Sequence, residues 1–316
     1  MSNKGIPSDI ITDIFRQLPP KSLLRFRSLS KPICSLIDDP DFVNLHLDHS
    51  LATSSNLSVL LKDWNLYIAD LDPAGSPASD LPHPLRVGGG GGTEAVGSCR
   101  GLLALRSSER CVAIYNSATR RCRPLPVAEI EPPNKSLKTG YVFYGFGFDP
   151  VTEDYKLLRM AHFVNEDEPE ESFLYDYDVR VYSMRADLWR RITNLPLYLR
   201  FLNKPFYHIL HRRGYGVSAG GALHWMLPCR PKYGVPAGIV AFDLYEEVFR
   251  EVPQPDFDAR ELSYQVDVGA LDGHLCAMCN YGHASIDVWM MKEYGMKESW
   301  TKLFSVGKMK SVGPLM

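Results

Sequence analysis

A recurring strand-turn-strand pattern is the feature that most constrains the fold of this chain. Four segments each carry an apolar strand, a polar turn and a second strand that opens on a large or apolar residue: CVAIYNSATRRCRPLP, VRVYSMRADLWRRI, GIVAFDLYEEVFREVP and SIDVWMMKEYGMKESWTKLF. Each segment has a pair of marker residues, one in each strand. The pairs Tyr115–Cys122, Tyr182–Trp189 and Phe242–Phe249 are seven positions apart, and the pair Trp289–Trp300 is eleven apart. Repeats decide fold class, and these predict the outer hairpins of successive structural units.

Further strands are predicted between these hairpins. The phrases GSCRGLLAL, GVSAGGALHWML and GALDGHLCAM each join a small-residue turn to an apolar strand. The markers recur at intervals of about 50 to 70 residues, which suits four-stranded blades with loops of unequal length, so a mainly β chain with a β-propeller is predicted. The strands predicted from aromatic and β-branched runs between turn residues are Leu57–Lys62, Asn65–Asp70, Gly101–Leu105, Cys111–Asn116, Tyr144–Asp149, Tyr155–Met160, Asp178–Ser183, Ala222–Leu227, Gly238–Asp243, Val266–Leu271, His274–Met278 and Ile286–Met291.

The first forty residues have a different sequence pattern, with apolar residues at helical spacing. Ser8 and Asp9 supply a hydroxyl cap and a negative first-turn charge, so a helix is predicted to begin there. It ends at Pro19-Pro20. A second helix carries basic residues among its leucines, and a third takes Pro32 in its first turn after Ser30. The sequence therefore predicts a module of three small helices.

This helical module is close to the lower size limit for independent stability. A unit of about 40 residues has a large surface relative to its core. Its apolar residues either pack against the rest of the same chain or receive helices of another protein. The helical spacing is compatible with both arrangements, and the pattern leaves them open.

Composition excludes several classes of function. A formal net charge of -2 over 316 residues lacks the excess of Lys and Arg that binding to nucleic acid requires, so no nucleic-acid partner is expected. No apolar run is long enough to span a bilayer, and the N-terminal residues show neither a basic leader nor a cleavage site, so no membrane partner is expected. Seven cysteines without a regular framework fit free thiols in a reducing compartment. We expect a protein of the cytoplasm, the nucleus or both.

Several short motifs match catalytic or metal sites only in part. Gly145 and Gly147 lack the third glycine of a dinucleotide loop, and Ser98 in GSCRG is misplaced for a nucleophile elbow. Cys276 and Cys279 have no second pair at zinc-site spacing and are interpreted as buried thiols. The acids of DPVTEDYK are expected to bond the local backbone. We therefore expect no catalytic residue, no metal site and no cofactor.

The stretch Tyr198–Arg213 mixes aromatic and basic residues of the kind that anchor interfaces. Its His208 and His211 have no third metal-ligating partner and are interpreted as loop residues. The acidic run NEDEPEE and the five consecutive glycines are predicted to be solvated loops. The stretch supplies the candidate target-binding residues, which are Phe201, Phe206, Tyr207, Arg212 and Arg213.

The helical segment resembles an F-box. The match extends from Ile6 to Leu47 and includes the phrases KSLLRFR, SLI and DP. Ile33 stands where the family usually has Trp, so we expect the bundle to persist with adaptor binding weakened by about 1 kcal/mol. The resemblance implies binding to the adaptor Skp1 and through it to a cullin-based ubiquitin ligase. The residues that it places in or near the Skp1 contact are Ile6, Pro7, Ile10, Ile14, Leu18, Pro19 and Leu23.

The strand-rich remainder resembles the kelch-like F-box-associated domain of a large plant family. The phrases GSCRGLLAL, IYNSATRRCRPLP, YGFGFDPVTEDYKLLRM and VRVYSMRADLWRRI carry this resemblance. It implies a three-helix F-box over residues 3–48, followed over residues 55–316 by a β-propeller-like domain that recognises the substrate. Relatives continue for further strands after GPLM, so the ring is expected either to be incomplete at the C-terminus or to be closed by the first strands in an unusual way.

Together the two resemblances imply a non-catalytic adaptor. The chain would be the substrate-recognition subunit of an SCF-type (Skp1-cullin-F-box) E3 ubiquitin ligase, with propeller loops holding the protein to be ubiquitinated. Two alternatives stay open: a shortened decoy that binds Skp1 without delivering a target, and a propeller enzyme with an incidental helical leader. The resemblance implies a protein substrate without specifying which protein.

Overall fold

The computed structural model of the chain describes residues 6–62, 65–71, 77–81, 85, 92–108, 110–165, 175–200, 215–227, 238–257, 265–281 and 285–307. The chain divides into two compact units: unit 1 comprises residues 1–95 and 100–125, and unit 2 comprises residues 96–99 and 126–316. Strands predominate over helices, so the predicted mainly β class with a small N-terminal helical module is confirmed. Within the described ranges, none of the helices combines the length and the apolar character needed to cross a membrane.

Unit 1 begins with four helices, which are α1 (Ser8–Phe15), α2 (Pro20–Phe26), α3 (Lys31–Asp38) and α4 (Pro40–Ala52). The first three confirm the predicted helices. The fourth was not predicted, because its apolar residues at positions 43, 45 and 47 alternate with polar ones and hide the helical period. Its start is nevertheless well specified: Pro40 takes the first helical position, and the carboxylate of Asp39 accepts a hydrogen bond from the backbone N–H of Asp41 at 2.8 Å.

The N-terminal caps of α3 and α1 differ in how well they agree with the sequence analysis. Ser30 caps α3 at the predicted start of that helix, since its hydroxyl accepts a hydrogen bond from the backbone N–H of Ile33 at 3.4 Å. The predicted cap of α1 is wrong, because Pro7 holds the N-cap position with an extended ψ of 145° and makes no side-chain cap. Ser8 already lies within the helix, where its carbonyl accepts a hydrogen bond from the Thr12 hydroxyl at 3.1 Å.

The strands of unit 1 follow α4. A three-stranded antiparallel sheet is formed by β1 (Ser58–Lys62), β2 (Leu66–Asp70) and β3 (Ser79–Asp80). The strand β4 (Glu94–Cys99) spans the division between the two units, and unit 1 continues with an antiparallel sheet of β5 (Leu102–Ser108), β6 (Cys111–Asn116) and β7 (Arg121–Pro124). The apolar core of these strands is formed by Leu66, Leu81, Leu85, Leu103, Leu105, Ala113 and Tyr115.

Unit 2 contains an eight-stranded sheet of order β11-β10-β9-β8-β12-β13-β14-β15 and a four-stranded sheet of order β16-β17-β18-β19. The strands of the larger sheet are β8 (Lys138–Asp149), β9 (Asp154–Val164), β10 (Asp176–Ser183), β11 (Leu188–Ile192), β12 (Tyr215–Ala219), β13 (Ala222–Leu227), β14 (Gly238–Asp243) and β15 (Phe249–Val252). A short helix, α5 (Leu197–Arg200), follows β11. The smaller sheet contains β16 (Gln265–Leu271), β17 (His274–Asn280), β18 (Ser285–Met291) and β19 (Trp300–Gly307).

The eight-stranded sheet is two antiparallel four-stranded meanders joined by one short parallel pairing. In that pairing Tyr144 lies opposite Tyr215, and Gly145 lies opposite Gly216. The pairing depends on glycine, because a Cβ atom added to Gly216 would lie 2.4 Å from the ring of Trp225. Successive four-stranded meanders are the blade pattern of propeller-like domains, as the repeat predicted.

The strand and hairpin predictions are confirmed in detail. Each of the twelve predicted strands corresponds to an observed strand, with shifts at some ends. The first three marker pairs are direct cross-strand partners, namely Tyr115 with Cys122, Tyr182 with Trp189 and Phe242 with Phe249. The longer fourth connection holds a 3-10 turn (Lys297–Ser299), and Trp300 lies opposite Met291.

Three of the predicted small-residue turns share one backbone geometry. The two central residues have positive φ angles in all three: 46° and 79° at Arg100-Gly101, 55° and 77° at Gly220-Gly221, and 51° and 75° at Asp272-Gly273. Two successive left-handed residues match the twist of the flanking strands in a tight hairpin, and glycine adopts this conformation without steric cost. The phrase GSCRG is therefore a strand end and a turn.

Candidate functional site

The four N-terminal helices pack around a small apolar core. Leu23, Ile37 and Phe42 are buried at its centre. Side chains from α1, α2 and α3 and the connection after α1 pack against it, and the rings of Phe15 and Phe26 stack with centroids 5.7 Å apart. The Nε2 atom of His46 lies 2.8 Å from the carbonyl oxygen of Leu18, which ties α4 to the end of the first helical segment. Through Phe15, α1 thus packs against the module's own core.

The opposite face of α1 carries large apolar residues that the chain leaves exposed. Ile6 is 63% exposed, Ile10 is 50% exposed and Ile14 is 48% exposed. The spacing of four residues between Ile10 and Ile14 places them one turn apart on the same side of the helix. We call Ile6, Pro7, Ile10 and Ile14 the α1 outer face, and Pro7 is also exposed.

Charged groups hold the neighbouring helices together. The guanidinium of Arg27 at the end of α2 donates to both carboxylate oxygens of Asp38 at the end of α3, from Nε at 2.7 Å and from Nη2 at 2.5 Å. This bidentate contact lowers the pKa of Asp38, chiefly through the hydrogen bond from Arg27. The Cys34 thiol donates to the same carboxylate at 3.5 Å. Two hydrogen bonds in a fixed geometry fix the relative positions of α2 and α3.

Two ion pairs connect the helices to the strands of unit 1. The Lys21 Nζ atom lies 2.5 Å from Asp70 Oδ2 at the end of β2. The Arg100 Nη2 atom, in the turn after β4, lies 2.9 Å from Asp48 Oδ1 on α4. Pairs of this exposure contribute little stability each. They nevertheless mark the side of the module that faces the strands, which leaves the α1 outer face uncovered.

The remaining residues that were expected to contact Skp1 differ in how far they are buried. Pro19 is exposed between α1 and α2, whereas Leu18 is half-buried against the core of the module. Leu23 is only 5% exposed and belongs to that core. Ile33, the residue in place of the usual Trp, is also half-buried against the core. The larger family side chain would have to be accommodated at the same edge of the core.

The candidate target-binding residues lie outside the described residues. These residues are Phe201, Phe206, Tyr207, Arg212 and Arg213, and the same holds for His208 and His211. Most of the acidic run and of the glycine run also lies outside those ranges. The stretch connects α5 to β12 in the chain, so it precedes the second meander of the eight-stranded sheet.

The motifs that matched enzyme sites only in part are pieces of β-strands. Gly145 and Gly147 lie within β8. Cys276 and Cys279 on β17 are buried, and burial raises the pKa of both thiols, which keeps them protonated. In the described part of the chain, no group of three or more His, Cys, Asp or Glu residues could hold a metal ion.

The acidic turn after β8 bonds its local backbone, as expected. Asp149 accepts hydrogen bonds from the Val151 N–H at 2.9 Å and from the Thr152 hydroxyl at 2.5 Å. It also forms an ion pair of 3.1 Å with the buried Lys156, which lies 3.2 Å from Glu247. Burial raises the pKa of Asp149, but these hydrogen bonds outweigh that effect and lower it overall. The arrangement is a structural charge network that joins two turns of unit 2.

One cluster was missed by the sequence analysis. Strands β9, β10 and β11 bring Arg159, Arg180 and Arg191 to the buried carboxylate of Asp178. A signal was present in the marker pair Tyr182–Trp189: extending that register by two residues on each strand places Arg180 opposite Arg191.

Comparisons with known proteins agree with both parts of the architecture. The family model described as "F-box associated beta propeller domain" matches residues 91–315, and the model described as "F-box domain" matches residues 4–45. The second match covers α1, α2 and α3 and the start of α4, so it includes the α1 outer face.

Three plant relatives, all from Arabidopsis thaliana, match nearly the whole chain. F-box protein CPR1 is 46% identical over 309 residues, covering 97% of this chain and 74% of its own length. F-box protein At4g22390 is 37% identical, with 97% and 75% covered. F-box/kelch-repeat protein At3g23880 is 27% identical, with 96% and 80% covered. The chain therefore belongs to the F-box proteins with an F-box associated β-propeller domain, which are in general non-catalytic adaptors with Skp1-type partners.

Proposed function

We propose that this protein is the substrate-recognition subunit of a Skp1-cullin-F-box ubiquitin ligase. The helical module, residues 3–48, docks on a Skp1-type adaptor and through it on a cullin. The strand-rich region, residues 55–316, holds a protein target. Catalysis then comes from proximity, because tethering raises the effective concentration of target lysines beside the ubiquitin carrier.

One observation carries the proposal: the α1 outer face is uncovered although the module has a filled core of its own. Phe15 of α1 packs against the core of Leu23, Ile37 and Phe42, so the exposed isoleucines are not part of that core. Contiguous exposed apolar residues on a soluble domain mark interaction sites. An amphipathic helix that presents residues one turn apart fits a helical partner surface.

The thiols support an intracellular setting. The described cysteines that form no disulfide bond are Cys34, Cys99, Cys111, Cys122, Cys276 and Cys279. Free cysteines are typical of reducing compartments. We therefore place the activity in the cytoplasm, the nucleus or both.

The decisive test is the double variant Ile10→Asp/Ile14→Asp in the full chain, co-expressed with a Skp1-type adaptor. Two carboxylates on the α1 outer face should weaken adaptor binding by about 3 kcal/mol or more, which is roughly a hundredfold in dissociation constant. Affinity capture and calorimetric titration with the purified adaptor measure the loss. Ile14 is preferable to Leu18 for this test, because Leu18 packs against the core.

Leu188→Asp is the matched control. Leu188 is 47% exposed on β11, nearly the same as Ile14, and lies far from the helices in sequence. It should leave adaptor capture unchanged. Undiminished capture of the double variant would refute the proposal. If adaptor binding is confirmed but the protein lowers rather than raises the ubiquitination of co-purifying partners, it acts as a decoy instead of a recognition subunit.

A further inference from the structure

Three arginines form a row across adjacent strands of unit 2. Arg180 on β10 lies opposite Arg159 on β9 and opposite Arg191 on β11, so the three occupy one line perpendicular to the strands. Directly opposed residues have Cβ atoms about 5 Å apart, and like charges in such positions repel. A row of this kind therefore needs negative charge nearby.

The row has a single shared carboxylate among the described residues. Asp178 is 1% exposed, and its oxygens lie 3.3 Å from Arg159 Nη2, 2.9 Å from Arg180 Nε and 3.3 Å from Arg191 Nε. One negative charge thus meets three positive charges. The surplus of two positive charges is concentrated within the width of three strands.

The innermost arginine makes its contacts within the protein. Arg159 donates to the carbonyl oxygens of Ala128 and Glu129 at 2.5 Å and 3.3 Å, and its guanidinium lies 5.2 Å from the centre of the Trp189 ring. Its side chain is 3% exposed. Burial lowers the pKa of Arg159. It is a fixed, inaccessible charge that adds to the local positive field.

The outer two arginines are placed differently. The side chain of Arg180 is 22% exposed and that of Arg191 is 61% exposed. Their contacts with Asp178 run through Nε. A guanidinium has five N–H donors in a planar fork, so each retains donors suited to the paired oxygens of a carboxylate or phosphate.

We infer that Arg180 and Arg191 form a binding site for an anionic side chain of a protein segment, either a phosphorylated residue or a glutamate or aspartate. The inference rests on the proposed function, because such a segment would belong to the target protein. The buried carboxylate of Asp178 orients both guanidiniums, and the buried Arg159 supplies additional positive charge. Recognition of acidic or phosphorylated motifs by grouped arginines is a general mode of peptide binding.

The charge pattern favours a peptide over a nucleic acid. The row holds two accessible cations at one position, whereas binding to a nucleic-acid backbone uses a series of cations along its length. The whole chain has a net charge of -2. One or two anionic groups on a short segment match the site.

The test measures binding of fluorescein-labelled peptides to the full chain in complex with its adaptor. Three peptides share one sequence except at a central pair of residues, which are both phosphoserine, both glutamate or both serine. A uridine oligonucleotide is the fourth probe. We expect the phosphoserine peptide, the glutamate peptide or both to bind more tightly than the serine peptide. The preferred anion identifies phosphate or carboxylate as the ligand. Binding of that peptide should weaken about tenfold or more in Arg180→Gln/Arg191→Gln, because charge-assisted hydrogen bonds are lost.

Arg250→Gln is the matched control, since the Arg250 side chain is 55% exposed on another strand. The melting temperature of each variant verifies that it is folded, and Arg191→Gln alone gives a second reading at the most exposed position. Equal binding of all three peptides, unchanged binding in the arginine variants, or tighter binding of the oligonucleotide would overturn the inference. Adaptor capture by the same variants is independent of this site, so failure of the peptide site is distinguishable from failure of the proposed function.

Discussion

The helical module and the strand-rich sheets use their apolar residues in opposite ways. In β9, eight consecutive residues from Lys156 to Phe163 are buried, and other strands of the same sheet bury Phe143, Val181 and Phe242 in one core with Leu158 and Met160. In the helical module the fully buried apolar residues are Leu23, Ile37 and Phe42, while Ile6, Ile10 and Ile14 face outward. The inner strands of the large sheet bury their apolar side chains, whereas α1 leaves part of its apolar surface exposed.

This difference follows from geometry as well as from size. A strand inside a stack of sheets has neighbours on both faces, so both sets of alternating side chains are buried. A short helix on the outside of a four-helix module has one inner face. Apolar residues on its other face stay in contact with solvent unless another surface covers them.

The largest expected effect is on the sheet core. Phe242 is fully buried and packs edge-to-face on Phe249 with centroids 4.9 Å apart. Phe242→Ala should lower the free energy of unfolding by about 4 kcal/mol, because it removes buried area and leaves a cavity. Urea unfolding followed by tryptophan fluorescence measures this, since all five tryptophans lie after residue 63. Leu271→Ala, at a position 47% exposed, is the control and should cost little.

A smaller effect of pH should be specific to the sheets. His224 is buried on β13, with Nδ1 3.1 Å from the Val217 carbonyl and Nε2 2.7 Å from the Tyr294 hydroxyl. The carbonyl can only accept, so Nδ1 carries the proton and Nε2 accepts from Tyr294. Burial lowers the pKa of His224 to about 4 from an ordinary value of 6.5. The neutral form is therefore the one that the fold accommodates.

The sign of the pH effect follows from proton uptake. Below pH 6.5 the unfolded chain binds a proton at His224 that the folded chain does not bind until pH 4. Its contribution to stability is complete above pH 6.5 and is lost as the pH falls towards 4, amounting to about 2 kcal/mol between pH 7 and pH 5. Denaturant titrations at both pH values should show this loss in the wild type and a smaller loss in His224→Leu. An exposed-site control, His274→Asn, should keep the wild-type response.

The smallest expected effect on stability is at the α1 outer face. Ile14→Ala removes a side chain that is 48% exposed, so the free energy of unfolding should change by less than about 0.5 kcal/mol. The same variant should weaken adaptor binding by about 1 kcal/mol, because the methylene groups it removes would be buried in the complex. A large loss of stability with unchanged binding would mean that the face serves the module's own fold, and the contrast between the two regions would fail.

Sequence patterns identified much of the local structure. Alternating apolar residues and turn residues located all twelve predicted strands, and the seven-residue spacing gave the partner of Tyr115, of Tyr182 and of Phe242. These features depend on residues that are close in the chain. The errors are also local in origin: Pro7 displaced the expected cap at Ser8, and alternating apolar residues concealed α4.

By itself the sequence determined the helices α1 to α3, the repeated hairpins and the isoleucines at helical spacing, because neighbouring residues set backbone periodicity. Only the tertiary structure decided which apolar face of α1 stays uncovered, since that depends on which side the other helices occupy. It alone also brought Arg159, Arg180 and Arg191 together on Asp178. Those residues come from three strands, and their convergence depends on the register between strands, which hydrogen bonding and core packing fix only in the assembled sheet.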